Sequence, residues 1–364
     1  MPYLTTPGRA ERRPRPAGPA RASAVLVALG SALALTTACS GPGGVDLGKD
    51  WKGSGTFALA RVDGLVTVVG INPDQARAES LAVVPQQADD TDAISPHIVR
   101  LADGRWLLTV PRKGGKPDRR YEINRTEHTL DGLTGDERLR RILPGRSLVA
   151  EVAGLPDARS ADGAAASTVL VKEPAHWTTR RELKVPGTVD FAASDPASDT
   201  VCLGSTPNGG DGTTISVAGL ADGKITPVPA PSGLEVKDLL CPSGRPVVVG
   251  SPAKAKTGDI KVTLKRTAVG AVVTVDGGRV DATAATDHSV VVAAAVGNDT
   301  ELVEVDAANG KELHRARIKG LSASLSLTST SAGWLVYAEK TVTRVDLTTG
   351  RSKQFDLPGT LLDS

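Results

Sequence analysis

From Thr56 onward, apolar residues fall in short runs separated by turn signals. The runs are TFALARV (56–62), LVTVVGI (65–71), RWLLTV (105–110), SLVAEVAG (147–154), STVLVKE (167–173), TVCLG (200–204), TTISVAG (213–219), PVVVG (246–250), IKVTLKR (260–266), AVVTV (271–275), SVVVAAAV (289–296), TELVEVD (300–306), GWLVYAE (333–339) and TVTRVDL (341–347). Each has strand length, and several alternate polar with apolar positions. Between them stand the turn dipeptides Asp63-Gly64, Asp103-Gly104, Asp222-Gly223, Asp276-Gly277, Asn309-Gly310 and Thr349-Gly350. The one stretch with a helical pattern is GDERLRRIL (135–143), which predicts a single short helix. The pattern weakens over Ala78–Ser95 and fits a loop. An all-β chain follows.

A repeat narrows the architecture. ELVEVDAANGKELHRARI (301–318) and KTVTRVDLTTGRSKQFDL (340–357) both read strand, Asp, two residues, Asn or Thr, Gly, a basic residue and strand again. Asp306 and Asp346 are 40 residues apart, the period of a four-stranded propeller blade. Fainter echoes occur at 217–228 and 272–283, and SLSLTSTSAGWLVYAE between the clear copies supplies two inner strands of the last blade. Residues 52–360 divided by a blade of about 40–45 residues predict a β-propeller of about seven four-stranded blades. The cuts fall near 96, 143, 187, 232, 280 and 318. Tandem β-sandwiches are the alternative. In the Asp–x–x–Thr–Gly hairpin, Asp caps the turn with its side chain and Gly supplies a positive φ.

VDAANGKEL (305–313) resembles the repeat of quinoprotein-like (PQQ- and WD-like) β-propellers, where Asp and Gly fix the outer hairpin of a blade. That repeat usually continues to a Trp, and His314 and Phe355 stand near those places here. The resemblance implies the blade and no cofactor.

Upstream of the strands, residues 1–23 carry Arg9, Arg12, Arg13, Arg15 and Arg21, followed by the apolar run Ala24–Leu35. Twelve residues are too few to span a bilayer, which needs about 20, but they suit the core of a signal peptide. Leu35-Thr36-Thr37-Ala38-Cys39 resembles the lipobox of bacterial lipoproteins, with Thr36 where Leu is commonest. The resemblance implies cleavage after Ala38 and a diacylglyceryl group on Cys39. Ordinary secretion with a free Cys39 thiol is the alternative. Pro14-Arg15-Pro16 after Arg12-Arg13 departs from a twin-arginine signal. The expected organisation is a lipoprotein signal peptide over 1–38, a flexible Gly/Ser-rich tether over 39–54 and a propeller over 55–364. The expected address is the extracytoplasmic face of the cell membrane, with two acyl chains giving stable anchoring. Abundant Ala, Gly, Arg and Pro beside one Met resemble an actinobacterial coding bias.

Charge changes the picture once. Lys and Arg total 43 against 41 Asp and Glu, but residues 1–38 hold five Arg and one Glu. The mature chain therefore keeps 38 basic and 40 acidic residues, a net −2, which gives no reason to expect nucleic-acid binding. Cys202 and Cys241 form an even pair in an exported chain and predict a disulfide, with two buried thiols as the alternative. Two basic stretches, with Arg112, Lys113, Lys116, Arg119 and Arg120 in one and Arg138, Arg140, Arg141 and Arg146 in the other, form a candidate binding patch for anionic lipid or wall polymer. Solvated loops are the bland reading.

No catalytic constellation emerges. His97, His128, His176, His288 and His314 lack metal-ligand spacing, and Asp89–Asp92 lacks calcium-loop spacing. Thr286-Asp287-His288-Ser289 contains triad residue types, but strand neighbours point to opposite faces, so it reads as a turn. The expectation is a non-catalytic binding or scaffold module, without cofactor or metal, for a protein or cell-wall partner. A quinone-dependent dehydrogenase, a glycan-acting hydrolase and a small-ligand sensor are the alternatives. What lines the axial channel would separate them.

Overall fold

The computed structural model describes residues 44–48, 50–85, 96–110, 119–133, 141–153, 166–207, 212–254, 258–321 and 326–364. The chain from Gly43 to Ser364 is one compact unit. It is a seven-bladed β-propeller, each blade a four-stranded sheet.

From the axis outward, blade 1 is Thr360–Asp363, Thr56–Val62, Leu65–Asn72 and Arg77–Val83. Blade 2 is His97–Arg100, Trp106–Val110, Arg119–Asn124 and Thr129–Leu133. Blade 3 is Arg141–Pro144, Val149–Ala153, Ala166–Lys172 and Thr179–Pro186. Blade 4 is Thr188–Ser194, Thr200–Thr206, Thr214–Gly219 and Ile225–Val228. Blade 5 is Leu234–Leu240, Val247–Pro252, Ala271–Asp276 and Lys261–Arg266. Blade 6 is Arg279–Ala285, Ser289–Val296, Asp299–Asp306 and Glu312–Ile318. Blade 7 is Ser326–Thr330, Gly333–Tyr337, Thr341–Asp346 and Arg351–Asp356.

The middle strands are apolar because both of their faces are covered. Val249, Val273 and Val275 of blade 5 meet Val290, Val292 and Ala294 of blade 6 in one cluster. Ala166–Lys172 is buried along its whole length. Fully burying each Val or Leu contributes about 1.5–3 kcal/mol. Outer strands pack on one face only, so Thr179–Pro186 and Arg351–Asp356 are mostly exposed and polar. Inner strands carry β-bulges at matching places, leaving Asp190, Lys237 and Asp281 as the extra residues in blades 4, 5 and 6.

The ring closes through the C-terminus. Thr360–Asp363 pairs antiparallel with Thr56–Val62, so the last strand of the chain completes the first blade. Blade 5 departs from the common order. After Val247–Pro252 the chain runs to the outermost position first and then turns back inward, so Ala271–Asp276 lies parallel to Val247–Pro252.

Four expectations are corrected. The stretch expected as a loop from Ala78 begins as strand, the outermost of blade 1 (Arg77–Val83), whose mostly exposed residues leave a weak apolar pattern; residues 86–95 lie outside the described residues. Arg141–Pro144, the end of the expected helix, is the inner strand of blade 3, because Ile142 and Leu143 are buried there; residues 135–140 lie outside the described residues. The echo at 272–283 is no outer hairpin; it joins blade 5 to the inner strand of blade 6. Part of the expected tether is built into the propeller. Val45–Asp46 pairs with Thr129 and Leu130, and Leu47 and Trp51 are buried. Trp51 stacks on His128, centroids 4.3 Å apart, so a single aromatic anchors a segment otherwise rich in Gly and Lys.

The two repeat hairpins are as the sequence reads them. Oδ1 of Asp306 accepts the N–H groups of Ala308 and Asn309, and Asp346 does the same for Thr348 and Thr349. Gly310 and Gly350 take φ of 73° and 67°.

Candidate functional site

The sequence-predicted basic patch does not assemble among the described residues. Cys39, Arg112, Lys113, Lys116, Arg138 and Arg140 lie outside them. Arg119 and Arg120 are on the third strand of blade 2 and Arg141 opens the inner strand of blade 3. Arg120 is no surface residue. Its side chain is 5% exposed, and its guanidinium lies 2.7 Å from Glu151, whose other oxygen is 3.2 Å from the buried Lys172. Trp177 covers the guanidinium at 5.2 Å. This triad joins blades 2 and 3 and is structural.

Cys202 and Cys241 form a disulfide with Cα atoms 5.6 Å apart. It ties the second strand of blade 4 to the end of the inner strand of blade 5.

Around the axis, inner-strand side chains reach from blade to blade. His97 of blade 2 meets Asp363 of blade 1 at 2.6 Å, and Asp363 also accepts the N–H of Ile98. Thr283 of blade 6 donates to Asp238 of blade 5 at 2.5 Å, and Leu239 N–H donates to the same carboxylate. The hydroxyls of Ser326 and Ser364 meet between blades 7 and 1. Burial holds the carboxyl of Asp238 above its ordinary pKa, against the opposing pull of those two hydrogen bonds and of Arg141. Asp238 and Asp363 are thus engaged as inter-blade latches. Among the described residues, no three His, Cys, Asp or Glu side chains come together as metal ligands would.

A second set of latches runs around the face that carries the turns from inner to second strands. Asp199 of blade 4 accepts Ser147 N–H at 2.7 Å, Ser147 Oγ at 2.5 Å and Leu148 N–H at 3.0 Å from blade 3. Burial alone would raise its pKa, but these donors and Arg146 outweigh it and hold the carboxyl below the ordinary value. Asp195 of blade 4 accepts Ser243 N–H of blade 5 at 2.6 Å. The next pair of turns, 242–246 in blade 5 and 286–288 in blade 6, has no such latch among the described residues, and a cleft of about 650 Å³ opens between them.

Backbone contacts shape that cleft. The hairpin 267–270 rests on the blade 5 turn, with Ala271 N–H donating to Pro246 O; a Cβ on Gly270 would sit 2.0 Å from that oxygen. At the outer end, the turn of Gly310 presses on Leu264 O, where a Cβ would approach to 2.5 Å. Register then sets the chemistry. Val247, Ala271 and Arg266 lie side by side on three neighbouring strands, which brings Arg266 to the same face of the blade as the turn that carries Arg245. The side chains of Arg245, Arg266, Asp287 and His288 all line the cleft, and none of them makes a hydrogen bond or ion pair with another described residue; Asp306 also lines it, with its carboxylate capping its own turn. Thr286–Ser289 is a turn, as the sequence suggests: Thr286 Oγ1 accepts the N–H groups of His288 and Ser289. The cleft went unforeseen because its members come from four separate turns, and the blade 5 swap is what brings Arg266 to this face.

A larger recess of about 880 Å³ lies between the same blades on the opposite face. Two of its basic side chains are paired, Lys237 with Glu235 of the same lining and Arg279 with Asp281, while Asp259 also lines it.

No family model and no curated protein matches the chain. Solved structures do resemble it. A candidate 6-phosphogluconolactonase from Bacteroides fragilis NCTC 9343 is 10% identical, over 84% of this chain and 96% of that one, with a TM-score of 0.56. Apo AztD from Citrobacter koseri is 12% identical over 84% and 95%, with a TM-score of 0.52. The uncharacterised lmo1340 from Listeria monocytogenes EGD-e is 10% identical over 86% and 92%, also with 0.52. At such identities the likeness establishes the β-propeller fold and nothing narrower.

Proposed function

We propose that this chain is exported, lipidated at Cys39 and held on the outer face of the cell membrane, where its propeller acts as a non-catalytic binding module. The apolar run Ala24–Leu35 followed by Leu35–Cys39 supports export and lipidation. The partner is a protein or cell-wall polymer of the same compartment. One observation carries the binding role. The carboxylates of Asp238 and Asp363 are engaged by inter-blade donors, whereas the side chains of Arg245, Arg266, Asp287 and His288 in the cleft between blades 5 and 6 have no partners among the described residues. A glycan hydrolase needs two carboxyl groups free to act about 5–10 Å apart, and the axial pair is committed to holding blades together.

Cross-linking in cells followed by mass spectrometry tests the reading, with wild type beside Cys39→Ala and Arg245→Gln/Arg266→Gln strains. A defined membrane or wall component captured by wild type and reduced in both variants supports it. Capture unchanged in both variants, or none in any strain, overturns it.

A further inference from the structure

We propose that the cleft between blades 5 and 6 is a site for a small oxyanion-bearing ligand, a polyol or sugar carrying one phosphate or carboxylate. This rests on the reading of that cleft as the binding surface and names the chemistry it accepts.

Most described arginines near a blade surface are engaged. Arg315 contacts Glu301, Glu312 and Ile260 O, Arg317 contacts Asp299, and Arg344 contacts Pro73 O. The side chains of Arg245 and Arg266 make no hydrogen bond or ion pair with a described residue, as is also so of Arg100 and Arg351, but these two share one cleft. A guanidinium presents forked donors that match the two oxygens of a carboxylate or phosphate, so two of them lining one cleft favour an oxyanion. His288 adds a further ring nitrogen at the rim.

Asp287 narrows the class. Its carboxylate, with that of Asp306 in the same lining, disfavours a second anionic group on the ligand and accepts hydrogen bonds. The ligand therefore carries one anionic group and at least one hydroxyl. Val247, Leu264 and Ala271 contribute apolar surface that can cover the carbon skeleton of such a carrier. A volume of about 650 Å³ lies in the range of small-molecule sites.

The blade 5 strand swap is what builds the site. In the common order the outermost strand would start at this face; here it ends there, delivering Arg266 at the level of Val247.

Isothermal titration calorimetry of the full chain, purified from membranes, tests this at fixed ionic strength. The probes are inorganic phosphate, glycerol 1-phosphate, acetate and glucuronate. Saturable binding of glycerol 1-phosphate or glucuronate is expected, and whichever binds tighter identifies the anion. Arg245→Gln/Arg266→Gln is expected to weaken binding about tenfold or more, while Arg351→Gln on blade 7 leaves it unchanged. Asp287→Asn is expected to weaken the hydroxylated probes more than inorganic phosphate or acetate. Far-UV circular dichroism confirms that each variant folds. Absence of saturable binding, binding that survives the double variant, or equal loss in Arg351→Gln overturns the proposal. If anions fail while Arg245- and Arg266-dependent partner cross-linking persists, only the ligand class falls; if both fail, the binding-module reading falls with it.

Discussion

Oδ2 of Asp363 lies 2.6 Å from Nδ1 of His97 and 2.7 Å from the backbone nitrogen of Ile98. The contact joins the last strand of the chain to the inner strand of blade 2, just beyond the blade that strand completes. Ring closure thus ends on one carboxylate. Asp363→Ala is expected to cost about 1–3 kcal/mol, the range for leaving a partly buried donor unmatched. Thermal and urea unfolding measure it, and an unchanged midpoint contradicts the latch.

Glu151 sits between Arg120 and Lys172 with its side chain fully buried. Removing the carboxylate strands two buried cations against each other. Glu151→Gln is expected to destabilise the fold by about 3–5 kcal/mol, measured by urea unfolding. A loss under about 1 kcal/mol, the scale of a surface pair, would place the triad in solvent.

The disulfide closes a loop with a sequence separation of 39. In the chain-entropy model such a loop contributes about 4 kcal/mol. Cys202→Ala/Cys241→Ala and the reduced wild type are both expected to unfold at lower temperature and by similar amounts. If reductant leaves the melting temperature of wild type unchanged, the two thiols are not bridged in the protein.

Asp238 makes stability depend on pH in an unusual direction. Burial raises its folded-state pKa above the ordinary 3.8, despite Thr283, Leu239 N–H and Arg141. The folded state then holds this proton more tightly than the unfolded state. The group contributes no penalty at pH well below 3.8, and destabilises progressively as pH rises through 3.8 to the raised value. Asp238→Asn removes the charge, so the variant is expected to equal wild type near pH 3 and to exceed it at neutral pH. Unfolding midpoints across that range check the sign; a variant less stable than wild type at pH 7 would show that the charged form is the one the fold prefers.

The sequence revealed strands according to their packing. Thr56–Val62 and Ser289–Val296 read clearly because both faces are buried, giving unbroken apolar runs. Outer strands such as Arg351–Asp356 bury little and became visible only through the Asp–x–x–Thr–Gly repeat. Inner strands such as Thr188–Ser194 mix bulged charged residues with small ones and left no apolar signature. The recurring TVDF, EVKD and RVDA at 188–191, 235–238 and 279–282 was the available signal, marking the bulge in three successive blades. Arg120 was misplaced because a run of basic residues looks like surface until its partner Glu151, from the next blade, is known. The cleft stayed hidden for the same reason: local sequence cannot reveal that Arg245 and Arg266 come to line one cleft through an exchange of strand order.

The placement outside the membrane rests on Cys39, and palmitate labelling tests it most directly. Cells expressing wild type or Cys39→Ala are grown with labelled palmitate, and the chain is followed through membrane and soluble fractions. The account predicts labelled, membrane-bound wild type and an unlabelled variant released from the membrane. Wild type that takes up no label, or a variant that stays bound as firmly as wild type, would contradict it.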